Sequence, residues 1–498
     1  MTGHSGFAGR VVGLFALLAG ALSAAELTPY RADAVSWEGA FTPDGTSFVY
    51  ALMPAGEPPV SRIMAMSLAD GSTRSLGEIP LDAHKIPTDP IDPFDANMSG
   101  ATTVSAVTDD LELVFVSQDL LVDAGESHRA WDSVLRDLVP QDFRCHQARY
   151  LGPLGDQRDM MFADWWRDVP AYRITAFDQA DRSMQSITVP LSEDYRYSQE
   201  IVNTGSRVLG LITERYDRPE RVLREHWPVQ RLLAELPPRT VPITNMRTGP
   251  GAKMDSVTWS CALVGATPAG ELVIQRGDEV LAADADVSLP LRTVRPLADE
   301  NPVYFRNVKV ACDTTDARVY SGFLDITMPD GIDADDYLPD IEILEAKRDV
   351  HLSLRIDQLG SPEPASQELR FDCSSAFARM AALALENSIK EAEEQSGNRE
   401  VLTRQPEIET MVARDGLVTV MLKFHVHYGI SGRTYFMPVM VDTRHKELRA
   451  SAECFTYQTS GMSFGRQSCW WCFSPRGDAV AVIADNELYL YTWTGRDR

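Results

Sequence analysis

Positive charge is what this sequence has least of. Its 498 residues carry 47 Lys and Arg against 72 Asp and Glu, a formal net charge of −25, and no Lys/Arg-rich run interrupts that balance. Such a chain repels nucleic acid and anionic lipid over roughly one Debye length, about 10 Å. Nucleic acid is therefore excluded as a partner, and a protein partner with a basic surface is favoured. Long apolar runs are also missing. Apart from one near the N-terminus, no segment approaches the ~20 apolar residues that span a bilayer, so no transmembrane segment is expected. Cysteine is sparse, with 7 residues, and the odd number leaves at least one thiol unpaired whatever the connectivity. A chain of this length holds a core without disulfides. The 44% hydrophobic and 24% charged content places it among globular proteins rather than disordered ones.

What the N-terminus does have is an export signal. Arg10 supplies the positive region, "VVGLFALLAGAL" the apolar core and "LSAA" the small residues that a signal peptidase needs. The reading is a signal peptide over residues 1–25, cleaved near Ala24 or Ala25, and a periplasmic or secreted mature chain. No cysteine stands at the cleavage site, which argues against a lipid anchor. An oxidising compartment would permit disulfides among Cys145, Cys261, Cys312, Cys373, Cys454, Cys469 and Cys472.

Two distant stretches match each other. "GAFTPDGTSFVYA" near the start and "WCFSPRGDAVAVIADNELYLYTWTG" near the end align on Phe41 and Phe473, Pro43 and Pro475, and Gly45 and Gly477. In each, an alternating strand enters, a Pro-Gly turn reverses it, a second strand returns and a third follows, "RIMAMSL" or "ELYLYTW". A fourth strand follows "DGSTRSLG" in the first copy. Four antiparallel strands in about 40–45 residues make one blade of a β-propeller. "VSAVTDDLELVFVSQD" is a degenerate third copy with Asp109–Asp110 at the turn, and 261–284 and 308–326 are fainter ones.

The pattern F-[ST]-P-x-G, followed by an apolar strand and a YxY or MxM strand, resembles the TolB-type, WD-related propeller repeat of exported bacterial proteins. The resemblance covers residues 36–77 and 468–493. It implies an all-β fold, a β-propeller of about seven blades, with six to eight as the range, carrying helical insertions. It also implies that residues 26–31 complete the last blade, so that the domain 26–498 closes by pairing its N- and C-terminal segments and leaves no free sheet edge.

The chain is longer than seven blades need, so insertions are expected. Residues 124–144 and 218–236 read as helical, and 86–100 as a Pro/Asp-rich connector. The clearest insertion is an α-helical or α+β element at about 373–450. There Ala378, Ala382, Leu385, Ile389 and Ala392 share a helical face, Ser374 or Ser375 can cap the start, and Gly397 can end it. The strands 417–428 and 433–442 follow as a hairpin over "GISG". Either both strands belong to the insertion, or they belong to the penultimate blade and only the helix is extra; the second reading is preferred.

Candidate chemistry is thin. "GMSFG" around Ser463 matches a nucleophile elbow, but that motif needs a later histidine and none follows, so it reads as an inter-blade loop. "CWWC", Cys469 to Cys472, has redox spacing but lies on a strand, where residues three apart face opposite ways. His425 and His427 alternate with Phe424, Val426 and Tyr428, which puts both imidazoles on one polar strand face that could hold a metal. A third ligand would have to come from His445, Asp442 or His351. Asp330, Asp333, Asp335 and Asp336 could ligate Ca²⁺ but lack EF-hand spacing. Asn97 opens a glycosylation sequon, of consequence only in a eukaryote.

No catalytic constellation emerges, and no cofactor is required by the sequence. The expectation is an exported, non-enzymatic binding or scaffold propeller that mediates protein–protein interaction. The alternative is a metal-assisted hydrolase or lyase acting on an exported polymer at the propeller mouth, with His425 and His427 holding a divalent transition metal.

Overall fold

A computed structural model describes residues 25–53, 55, 60–80, 102–121, 129–135, 149–154, 159–166, 171–190, 197–203, 207–214, 221–228, 239–243, 261–267, 271–276, 279–283, 292–296, 308–313, 315–326, 338–339, 349–359, 366–394, 401–403, 406–428, 431–460 and 469–493. The export signal up to Ala24, the acidic loop of Asp330, Asp333, Asp335 and Asp336, Asn97 and Ser463 lie outside these residues.

The chain is all-β. Among the described residues, six sheets are four-stranded antiparallel units of propeller-blade form, and a three-stranded and an eight-stranded sheet stand among them; six blades of regular form are present, and the expected seven are not confirmed. In chain order the first sheet holds Val35–Phe41, Ser47–Leu52, Val60–Ser67 and Thr73–Pro80, and the second holds Thr102–Val107, Val114–Leu121 and Arg129–Leu135. The third spans 149–190, the fourth 197–243, the fifth 261–296 and the sixth 309–372. The eight-stranded seventh sheet is built on Glu407–Arg414, Leu417–Tyr428, Ser431–Asp442 and Glu447–Ser451. The eighth holds Cys469–Phe473, Ala479–Ala484, Glu487–Thr492 and, from the other end of the chain, Tyr30–Ala32. The first strands of neighbouring sheets pack side by side: Val35–Phe41 touches Thr102–Val107, Lys309–Cys312 touches Glu407–Arg414, and Cys469–Phe473 touches Val35–Phe41.

The turn of the repeat explains its sequence. The Thr42 hydroxyl accepts hydrogen bonds from the backbone N–H of Thr46 (3.1 Å) and Ser47 (3.0 Å). Ser474 does the same for Asp478 and Ala479, both at 3.2 Å. Both hydroxyls are buried and satisfy backbone donors of their turns, the Thr46 N–H being shared with Asp44 Oδ1 at 3.0 Å. Gly45 and Gly477 both stand at φ +66°, a left-handed backbone that only glycine adopts without cost. Thr108 and Thr267 repeat the device in the second and fifth sheets, accepting from Leu113 and Glu271 at 3.1 Å each. Successive turns are joined: the Asp44 N–H donates to Asp109 Oδ1 (2.7 Å), the Asp109 N–H to Gln179 Oε1 (2.8 Å), and the Asp415 N–H to Asp313 Oδ2 (2.6 Å).

The N-terminal segment is two strands on two sheets, where the sequence suggested one. Tyr30–Ala32 runs antiparallel to Leu488–Leu490 as the fourth strand of the eighth sheet. Ala25–Leu27 runs parallel to Arg449–Ser451 on the outer edge of the seventh. The break falls at Thr28-Pro29, which lies in neither strand and where proline has no N–H to donate to a ladder. Leu27 is buried between the two sheets with Met421, Phe455 and Tyr491. Arg31 pairs with Glu453 and stacks over Tyr489, 4.9 Å from the ring centroid.

Two helical readings are corrected. Arg129–Leu135 is a strand paired with Val114–Leu121. Arg221–Pro228 is a strand hydrogen-bonded on both sides, to Arg207–Glu214 and Arg239–Ile243. Long side chains such as Arg221, Leu223 and Arg224 favour a helix only weakly, by tenths of a kcal/mol per residue, and ladders on two edges outweigh that.

Candidate functional site

The single departure from blade form that the described residues build in full stands on the seventh sheet. Leu417–Tyr428 and Ser431–Asp442 pair along their whole length, from Leu417–Asp442 to Tyr428–Ser431. Their lower halves are blade: Glu407–Arg414 flanks one side and Glu447–Ser451 the other. Their upper halves project past the blade and acquire new flanks. Val401–Thr403 pairs with Val426–Tyr428, Leu338–Pro339 pairs with Leu402–Thr403, and Phe455–Ser460 pairs with Ser431–Phe436. The hairpin strands thus belong to the sheet itself, and what the chain adds is the helix and the upper flanks.

Helix α1, Ser374–Glu394, covers one face of this outgrowth. Phe377 meets Phe424 edge-on with centroids 5.3 Å apart, and Asn387 Nδ2 donates to the Tyr435 hydroxyl at 3.2 Å. The start is capped by Asp372, whose Oδ1 accepts from the Ser374 N–H at 2.8 Å; the Ser374 hydroxyl turns to the sixth sheet and accepts from the Val350 N–H at 3.0 Å. The buried side of α1 is Ala376, Phe377, Met380, Ala381 and Ala384; of the apolar face read from the sequence, Ala378, Ala382 and Leu385 are half-buried, and the side chains of Ile389 and Ala392 lie outside the described residues. Alanine-rich faces on both sides leave period alone unable to choose between them; the bulk of Phe377 and Met380 decides.

The opposite face of the outgrowth mixes polar and aromatic side chains, with Phe436 and Phe455 buried against the eighth sheet. Cross-strand neighbours share a face, which gives the rows Lys423–Phe436–Phe455, His425–Thr434–Tyr457 and His427–Gly432–Thr459. His425 Nδ1 lies 2.7 Å from Thr434 Oγ1. Lys423 Nζ donates to Glu407 Oε1 and Glu409 Oε2, each at 2.9 Å. Burial works against the Lys423 charge, but the two carboxylates outweigh it and hold its pKa above the usual lysine value. Phe436 packs on Trp471 at 4.5 Å and joins this face to the eighth sheet.

His425 and His427 therefore lie on one strand face by register, while the other metal-ligand candidates stand elsewhere. Asp442 pairs with Leu417 at the far end of the hairpin, eight residues and about 27 Å from His425. There its Oδ2 holds His445 Nδ1 at 2.8 Å. His351 is on the sixth sheet, its Nδ1 3.2 Å from Arg370. Among the described residues, no group of three or more His, Cys, Asp or Glu is placed to hold a metal ion. The sulfurs of "CWWC" face opposite ways: Cys469 packs with Met421 and Phe436, and Cys472 with Phe41 and Tyr50. Cys312, Cys373, Cys454, Cys469 and Cys472 are all free thiols; Cys145 and the Cys261 side chain lie outside the described residues. Thr434, Glu407 and Glu409 escaped the sequence reading because strand register, which brings them to His425 and Lys423, is not written in either strand alone.

No family model matches this chain, and no curated protein matches it. Solved structures similar to it include the WD40 domain of SCAP from fission yeast, at 8% identity and TM-score 0.40 over 94% of each chain. The Nup133 β-propeller domain of Vanderwaltozyma polyspora is 12% identical with TM-score 0.33, over 68% of this chain and 79% of that one. Oligopeptidase B from Leishmania major is 10% identical with TM-score 0.38, over 95% of this chain and 56% of its own length. Likenesses at this level bear on neither activity nor partner.

Proposed function

We propose that this protein is an exported, non-enzymatic β-propeller that binds a protein partner through the outgrowth of its seventh sheet. The observation that carries the reading is the hairpin 417–442, whose lower half is blade and whose upper half continues the same sheet with new flanking strands, backed by α1. A sheet extended beyond its blade, backed on one face by α1 and carrying the half-buried Lys423 and His425 on the other, presents a surface beyond the four strands of the blade. The net charge of −25 favours a basic partner. Export rests on the N-terminal sequence, and no helix among the described residues is long and apolar enough to cross a membrane. In this reading the three-stranded and eight-stranded sheets are also blades, eight in all; the side-by-side packing of first strands from sheet to sheet supports that count. The repeat type is the TolB-like, WD-related one.

Cross-linking in the native exported fraction, followed by mass spectrometry, tests the function. Cross-links from a partner to residues 401–460, retained when His425 and His427 are both replaced by Ala, are the expected result. Near-stoichiometric transition metal in protein purified without chelators, lost in that double variant, would replace this reading with the metal-assisted enzyme.

A further inference from the structure

We draw no further inference here: the strongest candidate, the half-buried side of helix α1 at Ala378 and Ala382, carries nothing because nothing among the described residues shows what covers it.

Discussion

The ring of Tyr30 fills the space that a side chain on Gly71 would need: a Cβ there would stand 2.2 Å from Tyr30 Cδ1. Gly71 turns the first sheet toward its fourth strand at φ +70°, and Tyr30 belongs to the strand that completes the eighth. Gly71→Ala should combine left-handed strain with overpacking and cost about 2–4 kcal/mol. In a double-mutant cycle with Tyr30→Ala, the overpacking share should disappear, leaving the double variant less destabilised than the sum of the singles. Strict additivity in denaturant melts would mean that the two residues do not meet.

The N-terminal segment touches the seventh, eighth and first sheets within eight residues, 25–32. Its removal should sharply lower the melting midpoint, and Leu27→Ala alone, leaving a cavity in the seam, should cost about 2–4 kcal/mol. A truncated chain melting with the intact one would show that the ring holds without this segment.

The His445–Asp442 pair gives a pH signature. Its hydrogen bond and charge interaction with Asp442 raise the His445 pKa above 6.5. Burial opposes the Asp442 charge, yet the bonds from His445 and the backbone prevail and hold it below 3.8. The histidine's contribution is thus complete below its unfolded value and fades as pH rises through the higher folded value. That of Asp442 is complete above its unfolded value and fades as pH falls through the lower folded one. An NMR titration should place the His445 midpoint above 6.5 and return it toward that value in Asp442→Asn. An unmoved midpoint would mean that the pair does not form in solution.

Burial should also silence the thiols. It pushes Cys312, Cys373, Cys454 and Cys469 up to about 12, and Cys472 well above its ordinary value. Thiolate, the reactive form, is then scarce at about pH 8. Alkylation read by mass spectrometry should leave these five unlabelled in the native protein and label all five after unfolding. Native labelling of Cys373 or Cys469, the two fully buried thiols, would contradict their burial, and fast labelling of the half-buried Cys312, Cys454 or Cys472 would contradict their raised pKa.

The parts of the fold legible in the sequence were those set by local backbone demands. Thr42-Pro43-Asp44-Gly45 and Ser474-Pro475-Arg476-Gly477 carry the buried hydroxyl and the left-handed glycine that their turn requires, so they announce themselves anywhere. What was not legible depended on partners far away in the chain. Residues 129–135 and 221–228 are strands because of the ladders beside them. The buried side of α1 follows the bulk of Phe377 and Met380, which pack against the two hairpin strands, with Phe377 on Phe424. His425 was visible as an imidazole on a polar strand face, but its contact with Thr434 needed the hairpin register, and the distance to Asp442 needed the whole strand.

Because Leu417–Tyr428 and Ser431–Asp442 run unbroken from the blade into the outgrowth, the outgrowth has no hinge at its base. It is a cantilever whose root is clamped in the ring, with the Thr419 hydroxyl bonded to the Gly477 carbonyl of the next sheet at 2.8 Å. A load applied at its tip is therefore delivered to the seam beside the eighth sheet, where the two ends of the chain are joined.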